Sequence, residues 1–138
     1  MSQKNVEVVR RLFEAHARND LDAIRELYHP SIEWKDVSGL WGDWGTRRGR
    51  DGVREGFASW FKAFEDVTFT AEDYLDAGEH VVVATRIRGR GRGSGLEVDQ
   101  PITLLWAVNG GQVTHVCGYR DRNDALEAVG LSDDAGRR

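Results

Sequence analysis

The hydrophobic residues of the first half of the chain recur with the spacing of three amphipathic helices. Asn5 is the expected cap of the first helix, and apolar residues follow it at i, i+3, i+7 and i+11, starting from Val6. Asp20 is the expected cap of the second helix, and Pro30 ends it because the residue before a proline disfavours helical backbone angles. Asp51 is the expected cap of a third helix with a strongly aromatic face. The predicted buried positions are Val6, Val9, Phe13 and Ala17 in the first helix, Leu21, Ile24, Leu27 and Tyr28 in the second, and Val53, Phe57, Trp60, Phe61 and Phe64 in the third.

Alternating apolar and polar residues predict strands in the rest of the chain. Residues 31–36 form the first strand, with Ile32, Trp34 and Asp36 on one face. Four more strands follow the third helix, joined by glycine-containing turns, and a short helix at 121–129 comes last. This order predicts a single α+β domain, with the helices packed on one face of a curved antiparallel sheet. The four later strands are predicted at residues 67–75, 81–92, 96–108 and 112–120.

Composition and charge exclude several classes of protein. The 138-residue chain has 19 Lys and Arg residues against 23 Asp and Glu residues, and its net charge of −4 disfavours a dedicated nucleic-acid binder. The single cysteine, Cys117, permits no internal disulfide and no cysteine-rich zinc site. The longest apolar run, at 104–108, is far shorter than the ~20 residues of a membrane span, and the charged first twenty residues do not resemble a signal peptide. We therefore expect a cytoplasmic protein with no membrane or nucleic-acid partner and no metal or cofactor.

The later strands carry two features that concern binding partners. Four arginines alternate along one strand, which places them on one face. They fit either an anion-binding patch, even one for RNA, or a solvated face paired with acids of the next strand, and we favour the second because no aromatic residues interleave with them. The segment 102–108 is apolar on both faces, so the face away from the helices needs a cover, which predicts a homodimer through the outer sheet face. The arginines are Arg86, Arg88, Arg90 and Arg92.

Four short motifs give the chain a family resemblance. They are Asn-Asp-Leu-Asp at 19–22, His-Pro-Ser-Ile-Glu-Trp at 29–34, Arg-Arg-Gly-Arg-Asp-Gly-Val-Arg at 47–54 and Asn-Gly-Gly-Gln-Val at 109–113. With the element order, they resemble the SnoaL-like proteins of the nuclear transport factor two-like superfamily over about residues 5–131. That superfamily also holds ketosteroid isomerase, limonene epoxide hydrolase and scytalone dehydratase. The resemblance implies a cone-shaped fold whose mouth leads to an apolar pocket between helices and sheet.

The resemblance also implies where catalytic groups would lie. Ketosteroid isomerases use an aspartate base near the end of the first strand, and this position falls on Trp34 in an ungapped match or on Asp36 if two extra residues are allowed. Their oxyanion-binding tyrosine and acid fall at Leu12 and Thr103, so both are missing. The last-strand aspartate of limonene epoxide hydrolases falls at Gly118. Neither known mechanism therefore transfers intact.

Asp36 and His16 are the candidate catalytic residues. A carboxylate on the inward face of an apolar cone can move a proton, whereas an aspartate at a strand end can also cap the following turn. His16 lies at the edge of the apolar stripe of the first helix. It either pairs with Asp36 as an acid or orienting group, or it is a half-buried histidine near the helix end.

The expected lining of the pocket is aromatic. Trp41 and Trp44 lie in a glycine-rich loop at 37–46, which we interpret as a lid over the pocket mouth. Aromatic walls with few polar groups suit a small apolar, cyclic molecule. The candidate substrate-binding residues are Leu12, Trp34, Trp41, Trp44, Phe57, Trp60, Thr103, Leu105, Val116 and Gly118.

The sequence leaves three functions open. The first is a cofactor-independent isomerase, cyclase or hydrolase, with Asp36 as base and His16 or Thr103 as its polar partner. The second is a non-catalytic binding protein of the same fold, and the third is a protein-interaction module. We favour binding of a small apolar molecule, with proton transfer as a further hypothesis.

Overall fold

The computed structural model describes residues 3–39 and 44–130. Its helices are α1 (Gln3–Arg18), α2 (Leu21–Leu27), α3 (Gly49–Ala63) and α4 (Arg122–Ala128). Its strands are β1 (Tyr28–Asp36), β2 (Thr46–Arg48), β3 (Phe64–Ala77), β4 (His80–Gly91), β5 (Glu97–Asn109) and β6 (Gln112–Tyr119). The predicted order of elements is confirmed, with β2 added inside the segment predicted as a loop. Within the described ranges, no helix is long and apolar enough to cross a membrane.

The six strands form one mixed sheet in the order β2-β1-β6-β5-β4-β3. The strands β3 to β6 pair antiparallel with their chain neighbours, as four consecutive strands should. The strand β1 differs, because it runs parallel to β6, with Trp34 opposite Val116 and Asp36 opposite Gly118. This pairing places β1 between β2 and β6, so the end of the first strand lies next to residues of the last strand.

The helices α1 and α3 pack on one face of the sheet, which we call the inner face. Side chains from both helices and from five strands form one buried apolar core there. Removal of this apolar surface from water is the main force that holds the helices to the sheet. Large contributors to the core are Val9, Leu12, Trp34, Phe57, Val83, Leu104, Trp106 and Val116.

The helix α4 packs on the opposite face, which we call the outer face. Its residues Ala125 and Leu126 are fully buried against Val82 and Leu105. The strand β5 is therefore covered on both faces at this point, which explains why its sequence is apolar on both. Part of the cover that we expected from a second subunit comes from the chain itself.

The helix boundaries confirm one predicted cap and correct two. Asp20 caps α2, because its carboxylate accepts a hydrogen bond of 3.2 Å from a backbone N–H three residues later. Asn5 lies inside α1, and its side-chain amide donates to the carbonyl oxygen of Gly78 at 3.1 Å. Asp51 lies in the first turn of α3 rather than at its cap. Pro30 lies inside β1, since α2 already ends two residues before His29.

The arginine row lies on the outer face of β4 and just beyond its end, and it is paired with acids. The predicted pairing with the next strand is found at Asp99 of β5, whereas the other acids lie on β3. The shortest nitrogen–oxygen distance of each arginine to a carboxylate lies between 2.7 and 3.6 Å. Every arginine of the row is thus matched by a negative charge, which fits a solvated face. The pairs are Arg86 with Asp99 and Glu72, Arg88 with Asp99, Arg90 with Asp66, and Arg92 with Glu65.

Candidate ligand-binding site

Four aromatic side chains pack together on the inner face between α3 and the sheet. Trp34 lies at the centre, and the centroid of its ring is 5.2 Å from Phe57, 5.4 Å from Trp44 and 5.5 Å from Trp106. The rings meet edge to face, an arrangement that aromatic pairs prefer. The residues are between 2% and 8% exposed, so they form a rigid apolar wall. We call Trp34, Trp44, Phe57 and Trp106 the aromatic cluster.

Trp44 is held in the cluster by its backbone and side-chain neighbours. Its indole N–H donates to the carbonyl oxygen of Trp34 at 3.2 Å. Its ring lies over Gly56 of α3, where a Cβ would be only 2.7 Å from Trp44 Cζ3. Trp44 therefore belongs to the buried wall. Trp41, the other tryptophan of the predicted lid, lies outside the described residues, so the lid remains a prediction.

A row of rings leads from the cluster to the protein surface along α3. Phe57 stacks on Phe61 with a centroid distance of 6.2 Å, and Phe61 is 45% exposed. Trp60 is half-buried and lies 4.6 Å from Phe64 and 6.3 Å from Phe69, centroid to centroid. These contacts connect the aromatic cluster to exposed Phe61 at the protein surface.

A neutral polar pair lies against the aromatic cluster. His16 Nε2 and the Tyr28 hydroxyl oxygen are 3.1 Å apart. The His16 ring is 5.2 Å from Phe57, and the Tyr28 ring is 6.3 Å from Trp34. Burial lowers the pKa of His16 to about 4 and raises the pKa of Tyr28 well above its ordinary value. Both side chains are therefore uncharged at physiological pH.

Asp36 ends β1 with its side chain over Gly118. A Cβ at position 118 would lie 3.1 Å from Asp36 Oδ1 and 3.2 Å from Ile102 Cδ1, so the glycine leaves room for the carboxylate. Asp36 Oδ1 accepts hydrogen bonds from the backbone N–H of Ser38 at 3.0 Å and from its hydroxyl at 2.5 Å. The Arg120 guanidinium donates to the Ser38 carbonyl oxygen at 3.0 Å and holds the turn. Asp36 thus caps this turn and also borders the inner face.

The structure does not pair His16 with Asp36. His16 bonds to Tyr28, the first residue of β1, whereas Asp36 is the last residue of the same strand. The partners of these two residues on β6, Val113 and Gly118, are only five residues apart, because β1 bulges between Tyr28 and Glu33. At about 3.3 Å per residue, the two ends of β1 are roughly 17 Å apart. The polar partner of His16 is therefore a tyrosine, and the orienting partner of Asp36 is Ser38.

Two candidate lining residues lie on the other side of the sheet. Leu105 packs against α4 on the outer face, and alternation along β5 puts Thr103 there too. Thr103 borders a cavity of about 10 Å³ on that face, together with Val82. This corrects the expectation that Thr103 and Leu105 line the pocket. Leu12 and Val116 are buried in the inner core, as expected for that face.

Two residues of the site did not emerge from the sequence as functional candidates. Tyr28 fits the helical stripe of α2, and no local signal marks it as the first residue of β1. The sequence predicts Trp106 only as a core residue. In the structure its indole N–H is buried and makes no hydrogen bond to the described part of the chain. A buried donor of this kind is usually satisfied by ordered water or a ligand.

A concave surface lies at the N-terminal half of α1, away from the aromatic cluster. It is an open groove of about 820 Å³ whose wall includes Lys4, Glu7, Arg11 and Glu79. These charged side chains suit an apolar ligand less well than the aromatic cluster does. Among residues 3–39 and 44–130, no three His, Cys, Asp or Glu side chains gather as metal ligands would.

Comparison with known proteins gives this geometry a family. The SnoaL-like domain matches residues 9–116 of the chain. The chain belongs to the SnoaL-like family. An uncharacterised protein of Mycobacterium tuberculosis is 32% identical to this SnoaL-like protein over 116 residues, which cover 83% of this chain and 87% of that one.

Solved structures share the fold of this SnoaL-like protein. A nuclear transport factor two-like protein of unknown function from Burkholderia pseudomallei matches with a TM-score of 0.75 and 21% identity, over 94% of this chain and 98% of that one. A candidate SnoaL-like polyketide cyclase from Jannaschia sp. CCS1 matches with a TM-score of 0.74 and 25% identity, over 93% and 92%. The predicted family and α+β fold are confirmed. Because one fold hosts many functions, activity has to be argued from the side chains above.

Proposed function

We propose that this SnoaL-like protein binds a small apolar, cyclic molecule on the inner face of its sheet. The observation that carries the proposal is the aromatic cluster with the neutral pair of His16 and Tyr28 at its edge. Sites for small molecules are mostly apolar, with a few polar groups that fix the orientation of the ligand. The row of rings that ends at exposed Phe61 extends this apolar surface from the cluster to the outside of the protein.

A thermal-shift screen tests ligand binding. The panel holds steroids, terpenoids, polyketide lactones and aromatic acids, and unfolding is followed by tryptophan fluorescence. A ligand at 100 times its Kd adds about 2.7 kcal/mol of stability, which corresponds to a rise in Tm of very roughly 5–15 °C for a domain of this size. Phe57→Leu should weaken binding, and Arg11→Ala in the charged groove is the matched control that should not. A panel without any shift would contradict the proposal.

For a reaction, we propose that Asp36 moves a proton of the bound ligand. Its carboxylate takes the proton from a carbon–hydrogen bond and returns it to a different carbon, a step of the isomerase type that needs no cofactor. The position of the carboxylate at the inner face supports this role, as does the fixed orientation given by Ser38.

Solvent deuterium exchange tests this step without knowledge of the product. A panel member that binds is incubated with the protein in D2O, and loss of its carbon-bound protons is followed by NMR. Asp36→Asn should keep the fold and the affinity but lose the exchange, whereas Asp51→Asn, an exposed carboxylate on α3, should retain it. Exchange that persists in Asp36→Asn would contradict the proposed role.

Binding without catalysis is the second candidate function. Ketosteroid isomerases hold their oxyanion donors at the positions of Leu12 and Thr103. Here Leu12 is a fully buried leucine and Thr103 faces outward, so neither can supply such a donor, which favours binding alone. Ligands that bind tightly and show no deuterium exchange in the unaltered protein would establish this candidate over the first.

We also propose that the protein forms a homodimer through the outer face. The helix α4 covers Val82 and Leu105, whereas Ala107 and Cys117 beside them stay partly exposed and His115 is exposed. A second copy could bury this remaining surface. Sedimentation should give twice the chain mass of 15.5 kDa, and Ala107→Arg should give the single mass. A monomeric unaltered protein would contradict the dimer.

A further inference from the structure

We propose that His16 donates a hydrogen bond from its Nδ1–H to a neutral acceptor oxygen of the ligand, and that Tyr28 is the positioning residue that fixes this tautomer. The inference rests on the proposed binding of a cyclic molecule at the aromatic cluster. It narrows the ligand to ring compounds with an uncharged carbonyl or similar oxygen. It also gives a role to Tyr28, which the sequence marks only as an apolar position.

The tautomer follows from where the hydroxyl proton of Tyr28 can go. Tyr28 is only 3% exposed, and its hydroxyl has His16 Nε2 as its hydrogen-bond partner among the described residues. A buried hydroxyl that donates to nothing is costly, so the Tyr28 O–H donates and Nε2 accepts. A neutral imidazole carries a single proton, which must then be on Nδ1.

Because His16 and Tyr28 are both uncharged, the pair favours an uncharged acceptor oxygen on the ligand. Burial lowers the pKa of His16 to about 4, although a charged histidine in the last turn of α1 would gain from the helix dipole. Loss of hydration on burial is therefore what keeps His16 uncharged. A neutral N–H beside apolar rings favours an uncharged acceptor, because a carboxylate buried there would lack a countercharge.

The neighbours of the pair leave Nδ1 available. In the described part of the chain, the hydrogen bond of His16 goes to Tyr28 and occupies Nε2. The His16 ring stands 5.2 Å from Phe57, so a ligand ring packed on the aromatic cluster would lie beside it. Arg50 donates a hydrogen bond from its Nε–H to the backbone carbonyl oxygen of Tyr28 at 2.8 Å and so anchors the start of β1.

Three naphthalenes of matched size test the acceptor. The probes are 2-acetylnaphthalene, 2-isopropylnaphthalene and 2-naphthoate, and their affinities are measured by quenching of tryptophan fluorescence. One net hydrogen bond should make the ketone bind about threefold to tenfold more tightly than the hydrocarbon, with the carboxylate weakest. Equal affinities of ketone and hydrocarbon, or tighter binding of the carboxylate, would overturn this inference and leave the proposed function standing. If none of the three binds, this inference is overturned, and the proposed function is decided by the thermal-shift panel.

Two variants separate the donor from its positioning residue. His16→Phe keeps an aromatic ring and should bring the ratio of ketone affinity to hydrocarbon affinity to about one. Tyr28→Phe keeps His16 but should reduce the preference, because Nε2 loses the donor that fixed the tautomer. An undiminished preference in either variant would overturn the inference. Circular dichroism checks the fold, and Tyr28→Phe decides the matter if His16→Phe does not fold.

The tautomer can be read directly, without a ligand. Histidine-labelled protein has four histidines, and the ring signals of His16 are those lost in His16→Phe. The nitrogen-15 shifts should show a protonated Nδ1 and an unprotonated Nε2, with a mixture of tautomers in Tyr28→Phe. A protonated Nε2 in the unaltered protein would overturn the inference whatever the probes do.

Discussion

Replacement of Gly56 by alanine tests how the aromatic cluster packs against α3. A Cβ at this position would lie 2.7 Å from Trp44 Cζ3 and 2.8 Å from Cη2, about 0.8 Å inside the optimal separation of two carbons. The Trp44 ring cannot move away freely, because its N–H bonds to the Trp34 carbonyl oxygen and its centroid is 5.3 Å from that of Phe57. Overpacking of this kind costs about 1–3 kcal/mol.

Gly52, one turn earlier in α3, is the matched control. A Cβ there would meet nothing closer than a backbone carbon of Arg47 at 3.9 Å. An alanine that replaces a helical glycine without a clash stabilises by about 0.5–1 kcal/mol. Because both variants gain roughly this helix contribution, the difference between them isolates the cost of the contact with Trp44.

Urea unfolding of the two variants measures this difference. Gly56→Ala should be about 1–3 kcal/mol less stable than Gly52→Ala, or roughly 3–10 °C lower in Tm. Gly56→Ala should cost less stability in the Trp44→Leu background than in the unaltered protein, since the leucine can yield to the new methyl group. If Gly56→Ala is as stable as Gly52→Ala, then Trp44 does not lie against α3 as described.

Two further predictions concern stability. The pKa of His16 is about 4 in the folded protein, against an ordinary value of 6.5. Between these pH values the unfolded chain binds a proton that the folded protein does not, so stability falls as the pH falls from about 6.5 to 4. His16→Phe should flatten this part of the pH profile in urea titrations, and an unaltered profile would argue against the burial. Leu105→Ala removes a side chain packed against α4 and should cost about 2–4 kcal/mol in the same assay, with ligand affinity unchanged. Weaker ligand binding by Leu105→Ala would show that Leu105 contributes to the binding site, contrary to this prediction.

Local periodicity predicts much of this fold because it records which side of an element is buried. The stripe of α1 correctly places Val6, Val9 and Phe13 on the inner face, whereas Ala17 at its end is exposed. The alternation of β1 correctly places Ile32, Trp34 and Asp36 on that face. The four later strands follow from alternation and glycine turns alone. Where one face of an element is apolar and the other polar, a single register satisfies the pattern.

The pattern fails where that contrast is missing. The segment of β5 from Ile102 to Val108 is apolar on both faces, so its sequence does not show which residues face α4. The prediction that Thr103 and Leu105 lie on the inner face is therefore wrong. Tyr28 satisfies both the last turn of a helix and the first position of a strand. The parallel pairing of β1 with β6 joins residues about 80 positions apart, such as Trp34 and Val116, and no local rule encodes it.

The position of the proposed donor on α1 bears on the shape of the ligand. The resemblance to ketosteroid isomerases puts their oxyanion-binding tyrosine at Leu12, which is fully buried in this structure. His16 comes four residues later, so it lies on the same side of α1 but about 6 Å farther along the helix axis. The proposed base, Asp36, remains at the end of β1. A ligand that contacts both groups then needs a different separation between its acidic carbon and its acceptor oxygen from the one that those isomerases require. The spacing of the two groups on the inner face, as much as their chemistry, therefore selects the ring compounds that fit.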